Sequence, residues 1–452
     1  MEKTAKKIVK RVQDAGYTCV FCGGYVRDLL MNNINGTKEE SHDIDIATDC
    51  PIEKLKELFK HVILVGESFG VIRVIEDGFE FEIAQFRTDS KNSDGRRPDS
   101  VEFTSDLELD AQRRDFTING LFYDPITDKV IDYVGGKEDI KKGLIRFIGD
   151  PESRIQEDKL RMLRFCRFVS RFGEYDKESF DAVKENSYKI KRISEERIKE
   201  ELEKGLSLEN TSFYIDLLMK TGLMHEILPE IEVLNNIEQS LLYHPEGNVL
   251  PHVKLVVEAL KGESLNLKFA ALFHDVGKVS TTIVQEDGKI TSRGHAEIGK
   301  EMTEVILKRL KFSNSDSEYI CSLVADHMKL IDFVKMSKSS KRKLISKEYF
   351  SDLYKLHKAD KMNRKEMFKD DIEEAVEFFL KEHSEQIKLP KPFIDGKDII
   401  FLGLNEGKGI GKVKELLYDM QLEGNLLDRE GALLKAKEII RDYYLDKQLK
   451  NT

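Results

Sequence analysis

Residues 41–49 read SHDIDIATD, and this stretch decides how the first part of the chain folds. Isoleucine and aspartate alternate through it. In a β-strand, residues i and i+2 point to one face. Asp43 and Asp45 are therefore expected to project together while Ile44 and Ile46 pack against a core. Two carboxylates at that spacing suit a pair of Mg²⁺ ions about 4 Å apart, the arrangement that handles in-line displacement at phosphorus. Asp-x-Asp also describes an ordinary solvated strand edge, so the neighbouring sequence has to separate the two readings.

Upstream, YTCVFCGGYVRDLL (residues 17–30) predicts an apolar strand, a glycine pair and a helix. Gly23 and Gly24 lack a Cβ, so their backbone N–H groups can approach an anion closely. Arg27 falls just inside the helix, where the N-terminal dipole also favours phosphate. The plain alternative is a strand-turn-helix with a surface arginine. Downstream, Pro51 starts a short helix. Residues 61–86 then divide into three strands at Gly66, Gly70 and Asp77-Gly78. Glu80 and Glu82 share a face of the last strand; either can add a third carboxylate, or both simply face solvent. Residues 88–112 are polar and turn-rich and predict a long loop. In RRDFTINGLFYD (residues 113–124) the paired arginines suit a bidentate grip on phosphoryl oxygens, or else a surface ion pair with Asp115.

Residues 141–171 are locally basic. Asp150-Pro151 is expected to open one helix carrying Asp158, Arg161, Arg164 and Arg167 at every third position. The first three then spread over about 120° of one side, with Leu160, Leu163 and Phe168 toward a core. Charge runs are usually solvated helix faces, but this one matches a base edge. Cytosine and adenine both present an exocyclic amine beside an unprotonated ring nitrogen. An Asp acceptor next to an Arg donor fits that pattern and opposes uracil and guanine. A further helix follows at residues 194–206, with Ser194 as its cap.

His244, His252, the HDVGK segment at 274–278, His295, Asp326-His327 and Asp360 follow in order. An adjacent His-Asp pair on an apolar helix (KFAALFHDVGK) is costly to bury without partners. His252, His274, Asp275 and Asp360 make a metal set of mixed nitrogen and oxygen donors, with His295 and His327 available for a second ion. Near the end, an acidic helix is expected at 372–385, then a linker with Pro390 and Pro392. GKGIGK at 407–412 opens another helix and resembles a glycine nest for a backbone phosphate.

The 452 residues allow two to four domains. A net charge of −10 argues against a general nucleic-acid coat, though not against a local basic patch. No apolar run approaches the roughly 20 residues that cross a bilayer. Five cysteines without a disulfide or zinc spacing, and no signal-like N-terminus, lead to the expectation of a cytoplasmic protein. Cys19 and Cys22 read as buried strand residues.

Together GGYVRDLL, DIDIATD, RRDFTING and EDKLRMLRFCRF resemble the motif series of the bacterial class II tRNA nucleotidyltransferase/poly(A) polymerase family. EERIKEEL resembles its last neck motif, and the HDVGK region is similar to HD phosphohydrolases. The likeness is greatest to CCA-adding enzymes that carry an HD domain, with Gly120 where Ala is usual. It implies an α+β nucleotidyltransferase head over 1–140, a helical neck over 141–210, a helical body with the HD metal site over 211–370, and a helical, tRNA-binding tail over 371–452. It also implies that Asp43 and Asp45 bind catalytic Mg²⁺. Gly24, Arg27 and Arg114 would hold phosphates or sugar, Asp158 and Arg161 would read the base, and Arg164 and Arg167 would support nucleotide contacts. The implied partners are tRNA, CTP and ATP, with a transition metal in the HD site. The expected activity is CCA addition to tRNA. The alternatives are A-only addition, CC-only addition (disfavoured by a full-length 88–112 segment), poly(A) synthesis, a metal-dependent phosphohydrolase with a degenerate head, or an inert HD platform.

Overall fold

The structure, a computed structural model, describes residues 1–36, 43–66, 70–89, 101–240, 244–362, 372–382 and 388–449. It divides into two compact units. One comprises Met1–Asn235 with Lys261–Leu265 and Val305–Phe312; the other comprises Asn236–Leu260, Asn266–Glu304 and Ser313–Thr452.

The first unit starts with helix α1 (Glu2–Asp14), which buries Ala5, Ile8, Val9 and Val12, the i, i+3, i+4, i+7 stripe of an amphipathic helix. Strand β1 (Cys19–Cys22) is buried along its whole length, and both cysteines are free thiols within it. It leads into α2 (Gly24–Asn35), then β2 (Asp45–Thr48) and α3 (Ile52–Leu58). Strands β3 (Val62–Gly66), β4 (Val71–Glu76) and β5 (Phe79–Gln85) form an antiparallel meander. Its tight turn uses Asp77 and Gly78, both at positive φ (51° and 81°), as a two-residue hairpin that follows strand twist requires. With β8 (Leu121–Asp124) and β9 (Lys129–Asp132) these strands make a seven-stranded sheet in the order β3-β4-β5-β2-β1-β8-β9. The pairing of β2 with β5 is parallel.

Two sequence expectations need correction. The stretch 88–112 is not one long loop: β6 (Arg87–Asp89) pairs with β7 (Val101–Phe103), and α4 (Leu107–Gln112) follows. Asp106 caps that helix by accepting the Glu108 N–H at 2.8 Å, and Leu107 and Ala111 bury its inner face. Residues 90–100 lie outside the described residues, as do 383–387 beyond the acidic helix Ile372–Glu382.

The second correction concerns residues 150–172, which form two helices and not one. After α5 (Gly136–Lys142), α6 spans Pro151–Glu157, and the chain turns out of helical geometry at Asp158 (φ −146°, ψ 106°) before α7 (Arg161–Phe172). The Asp158 carboxylate accepts the Leu160 N–H at 3.0 Å and so helps to start the next helix. Helix α7 buries Met162, Leu163, Phe165, Cys166, Phe168 and Val169, and Arg161, Arg164 and Arg167 are half-buried along its other side. Helices α8 (Lys177–Asn186) and α9 (Glu195–Leu206) complete this region, with Ser194 at the N-cap position of α9 but no side-chain cap bond.

The second unit is built of helices, among them Val249–Ala259, Asn314–Asp326 and Phe350–Lys361. Its last three, Gly396–Phe401, Lys408–Glu423 and Arg429–Leu449, share an apolar core that includes Ile399, Leu404, Val413, Leu417 and Ala436. The GKGIGK segment does open a helix, with Gly407 as N-cap. No helix among the described residues is long and apolar enough to cross a membrane.

Candidate functional site

Alternation in β2 gives the expected division of faces. Ile44 and Ile46 are 5% and 0% exposed, whereas Asp43, just before the strand, and Asp45, its first residue, are exposed. The parallel register sets Ile46 beside Ile83. Asp45 and Glu82, one residue earlier in each strand, therefore stand side by side on the other face. Partial burial and the nearby Glu82 carboxylate raise the Asp45 pKa, with Arg114 pulling the other way and Asp43 adding to the rise. Crowded carboxylates of this kind are relieved by a cation, and a donor set of oxygens alone suits Mg²⁺.

The glycine pair closes over this face, but Gly23 is the constrained member. It sits at φ 69°, and a Cβ there would lie 3.3 Å from Asp45 Oδ2. A Cβ on Gly24 would meet only ordinary contact, 3.5 Å from an Arg27 nitrogen. Gly120 is crowded by Val134 and Ile148, at 2.8 and 2.9 Å from an added Cβ.

Three distant motifs meet in one buried polar chain. The Arg27 guanidinium donates to Asn119 Oδ1 at 2.7 Å and also bonds Asp28. The Asn119 amide donates to Asp115 Oδ1 at 3.1 Å, and Arg164 Nε donates to Asp115 Oδ2 at 2.9 Å. Arg27, Asp115 and Asn119 are 6%, 9% and 7% exposed. Arg27 also lies over the rings of Phe168 and Phe172. Beside this chain, Asp110, 1% exposed, bonds both Arg113 and Arg114. The arginine pair thus takes Asp110, not Asp115, as its partner.

At α6 and α7, Asp158 Oδ2 accepts from Arg197 at 2.8 Å. Arg161 bonds Glu157 at 2.6 Å and the Arg113 carbonyl at 3.1 Å. Arg167 bonds Glu201 at 2.8 Å and lies over Phe168. Asp110, Asn119, Arg197 and Glu201 were not among the residues singled out in the sequence, and Asp115 figured there only as a surface ion-pair partner of the two arginines. Arg197 and Glu201 meet Asp158 and Arg167, and Asp115 meets Arg164, only through the fold, whereas Asp110 stands three and four residues before its arginines, a helical spacing the sequence does show.

Asp115 offers a direct test of this framework. Burial alone would raise its pKa, but the Arg164 guanidinium overrides that and holds it at about 2, against 3.8 for an ordinary aspartate. At 1.36 kcal/mol per unit, the ionised pair contributes about 2 kcal/mol. Asp115→Asn is expected to lower stability by about that much at pH 7. In urea titrations the gap to the unmutated protein should close as the pH falls from 4 toward 2, where the native carboxyl is protonated too. A gap independent of pH would refute the charge assignment.

The second unit gathers the histidines. His252 Nε2 lies 2.8 Å from Asp360 and 3.9 Å from Asp275, and His274 Nε2 lies 3.2 Å from Asp275. His295 Nε2 lies 3.4 Å from Asp275 and 3.1 Å from His327 Nε2. Asp326, by contrast, is engaged by Lys329 and Lys347. His274, His295 and His327 each place Nδ1 2.7 Å from a backbone carbonyl three residues back. A carbonyl only accepts, so each Nδ1 carries a proton, and Nε2 is the atom left to offer its lone pair to a metal. Two such lone pairs face each other, and His274 Nε2 is buried with no hydrogen-bond partner. Burial lowers the pKa of His327 to about 3 and also lowers that of His295. Imidazole Nε2 atoms converging on carboxylates fit a transition metal. A cavity of about 600 Å³ opens beside them, with Lys278, Arg293 and Lys329 among its lining.

Comparison with known proteins follows the same order along the chain. The model of the poly(A) polymerase head domain matches residues 19–146. That of a probable RNA- and SrmB-binding site of polymerase A matches 174–234, and that of the HD domain matches 241–390. In three successive parts the chain is similar to the poly(A) polymerase/CCA-adding enzyme family. A CCA-adding enzyme of Bacillus pumilus is 40% identical over 226 residues, 50% of this chain and 54% of the relative. One of Lactobacillus johnsonii is 36% identical over 257 residues, 57% and 62% of the two chains. The matched stretch thus spans little more than half the length of these family members. Among solved structures, the Bacillus stearothermophilus CCA-adding enzyme in complex with CTP superposes with a TM-score of 0.73, covering 98% of each chain at 24% identity. The Thermotoga maritima CCA-adding enzyme complexed with tRNA gives 0.56 at 21% identity, covering 96% of this chain and 94% of that one. At these identities the superpositions speak for the fold alone.

Proposed function

We propose that this chain is a template-independent CCA-adding tRNA nucleotidyltransferase that uses CTP and ATP. The observation that carries the reading is the exposed Asp43, Asp45 and Glu82 face, closed by Gly23 and bordered by the arginine chain of three separate motifs. The tRNA 3′-hydroxyl oxygen forms a bond to the α-phosphorus, the α–β bridging P–O bond breaks, and pyrophosphate leaves with that electron pair; the hydroxyl proton passes to solvent. Asp43 and Asp45, with Glu82 as third carboxylate, would hold Mg²⁺. When bound it supplies positive charge against the triphosphate and acidifies the attacking hydroxyl. Gly24 and Arg27 lie at the N-terminus of α2, where backbone N–H groups favour phosphate, and Arg114 offsets charge on the same group. Asp158, in the turn between α6 and α7, and Arg161, at the start of α7, offer an acceptor and a donor to the base, and Arg164 and Arg167 support nucleotide contacts from α7. The four regions 1–140, 141–210, 211–370 and 371–452 serve as head, neck, HD body and tRNA-binding tail, in a protein working in the cytoplasm.

One incubation separates the family's chemistries: tRNA lacking its 3′ end with CTP, ATP or both, sized on a gel. CCA addition gives two residues with CTP and three with both. One residue with ATP alone, on tRNA ending in CC, and none with CTP would mean A-only addition. A long ladder with ATP would mean poly(A) synthesis.

The histidine cluster supports an accessory reading, a metal-dependent phosphohydrolase acting on phosphate esters. His252, His274, Asp275 and Asp360 would hold the metal, with His295 and His327 available to a second ion. Lys278, Arg293 and Lys329 supply positive charge toward a phosphate in the adjoining cavity. RNA ending in a 2′,3′-cyclic phosphate should be opened when Mn²⁺, Co²⁺ or Ni²⁺ is added, and not by Asp275→Ala. No opening with any of these metals would leave the unit as a binding platform.

A further inference from the structure

His252 differs from the other three histidines of the cluster. Their Nδ1 atoms bond backbone carbonyls; His252 Nδ1 bonds a carboxylate, Glu246 Oε1, at 2.7 Å. Glu246 reaches it from a turn at Pro245–Gly247. The Gly247 N–H donates to the His244 carbonyl at 3.1 Å, and Gly247 takes φ 91°. The same carboxylate oxygen lies 3.3 Å from His244 Nδ1, at the edge of the cavity. His252 is 1% exposed, and its Nε2 faces Asp360 and Asp275.

We propose that Glu246 is a positioning residue for the metal set. It keeps the His252 proton on Nδ1, orients the ring, and makes Nε2 the most basic imidazole donor of the cluster. A carboxylate does this more strongly than a carbonyl because its full charge stabilises the positive character a ligating imidazole acquires. The inference rests on the reading of the cluster as a metal site, and the test separates the two.

The full chain, stripped of metal, is titrated with Co²⁺ against a chromophoric chelator. Glu246→Ala is expected to weaken Co²⁺ binding about 10- to 100-fold, the usual effect of removing an outer partner of a ligating histidine. Glu246→Gln, which keeps an acceptor at Nδ1 but loses the charge, is expected to lose less. Urea unfolding of the metal-free variants checks that they fold, and Glu246→Gln carries the test if Glu246→Ala does not. If the unmutated chain binds Co²⁺ no better than His274→Ala does, the metal reading itself fails. If the unmutated chain binds tightly, His274→Ala does not, and both Glu246 variants bind as the unmutated chain does, the positioning role is overturned.

Discussion

Asp45→Ala is expected to abolish nucleotide incorporation from CTP and ATP alike while tRNA binding survives. Asp45 opens β2 beside Glu82, and both project from the face opposite the core. A carboxylate so placed acts on the phosphate end of any nucleotide, so the loss should not depend on the base. Metal-assisted charge stabilisation is worth several kcal/mol, and at 1.36 kcal/mol per tenfold that is about a thousandfold in rate. Asp43→Ala is expected to behave in the same way, since Asp43 shares the exposed face. Single-turnover incorporation, with filter binding of tRNA as the control, measures both variants. Near-normal incorporation by either would remove that residue from the site. Glu82→Gln, read in the same assay, shows whether the third carboxylate belongs to the set.

Asp158→Ala should act on the other end of the nucleotide, blurring base choice more than it weakens tRNA binding. A bidentate base contact is worth about 1–3 kcal/mol of discrimination, so the preference for CTP over UTP should fall about 10- to 100-fold. The free protein already orients this carboxylate: one oxygen holds the Leu160 N–H and the other holds Arg197, 39 residues away. Alanine therefore also removes a helix-starting bond. Asp158→Asn keeps an oxygen for the Leu160 N–H and serves as the control for stability. The measured quantity is the ratio of kcat/KM for the two nucleotides. A ratio unchanged in Asp158→Ala would count against the base-reading role, whatever happened to the absolute rates.

The strand periods around Asp45 were legible because a period of two survives without knowledge of partners: Ile44 and Ile46 are inside, Asp43 and Asp45 outside. The gathering of His252, His274, Asp275 and Asp360 was legible in the same way, from residue types too costly to bury singly. The break at Asp158 was not. Every residue from Glu157 to Arg161 tolerates a helix, and the bond that orients Asp158 comes from another helix. Likewise Asp110 looks like one acid among several in DLELDAQ until the fold buries it against two arginines. Glu246 stood beside a singled-out histidine, yet only the turn at Gly247 aims its carboxylate at His252. The helix α4, in contrast, had a readable signal in its Asp106 cap, which the polar composition of the stretch concealed.

The parallel pairing of β2 with β5 bears on how the molecule reaches this state. It is the one parallel pair among the seven described strands of the sheet. The β3–β4–β5 meander closes through short turns and needs only local contacts, whereas β2 can join β5 only across the whole meander. A longer closure of that kind costs more chain entropy than the turns of the meander do. Asp45 and Glu82 come side by side only through that pairing. The electrostatic repulsion between the two acids is thus offset by the packing of the whole sheet, and neither the meander nor the β1–β2 pair alone carries both.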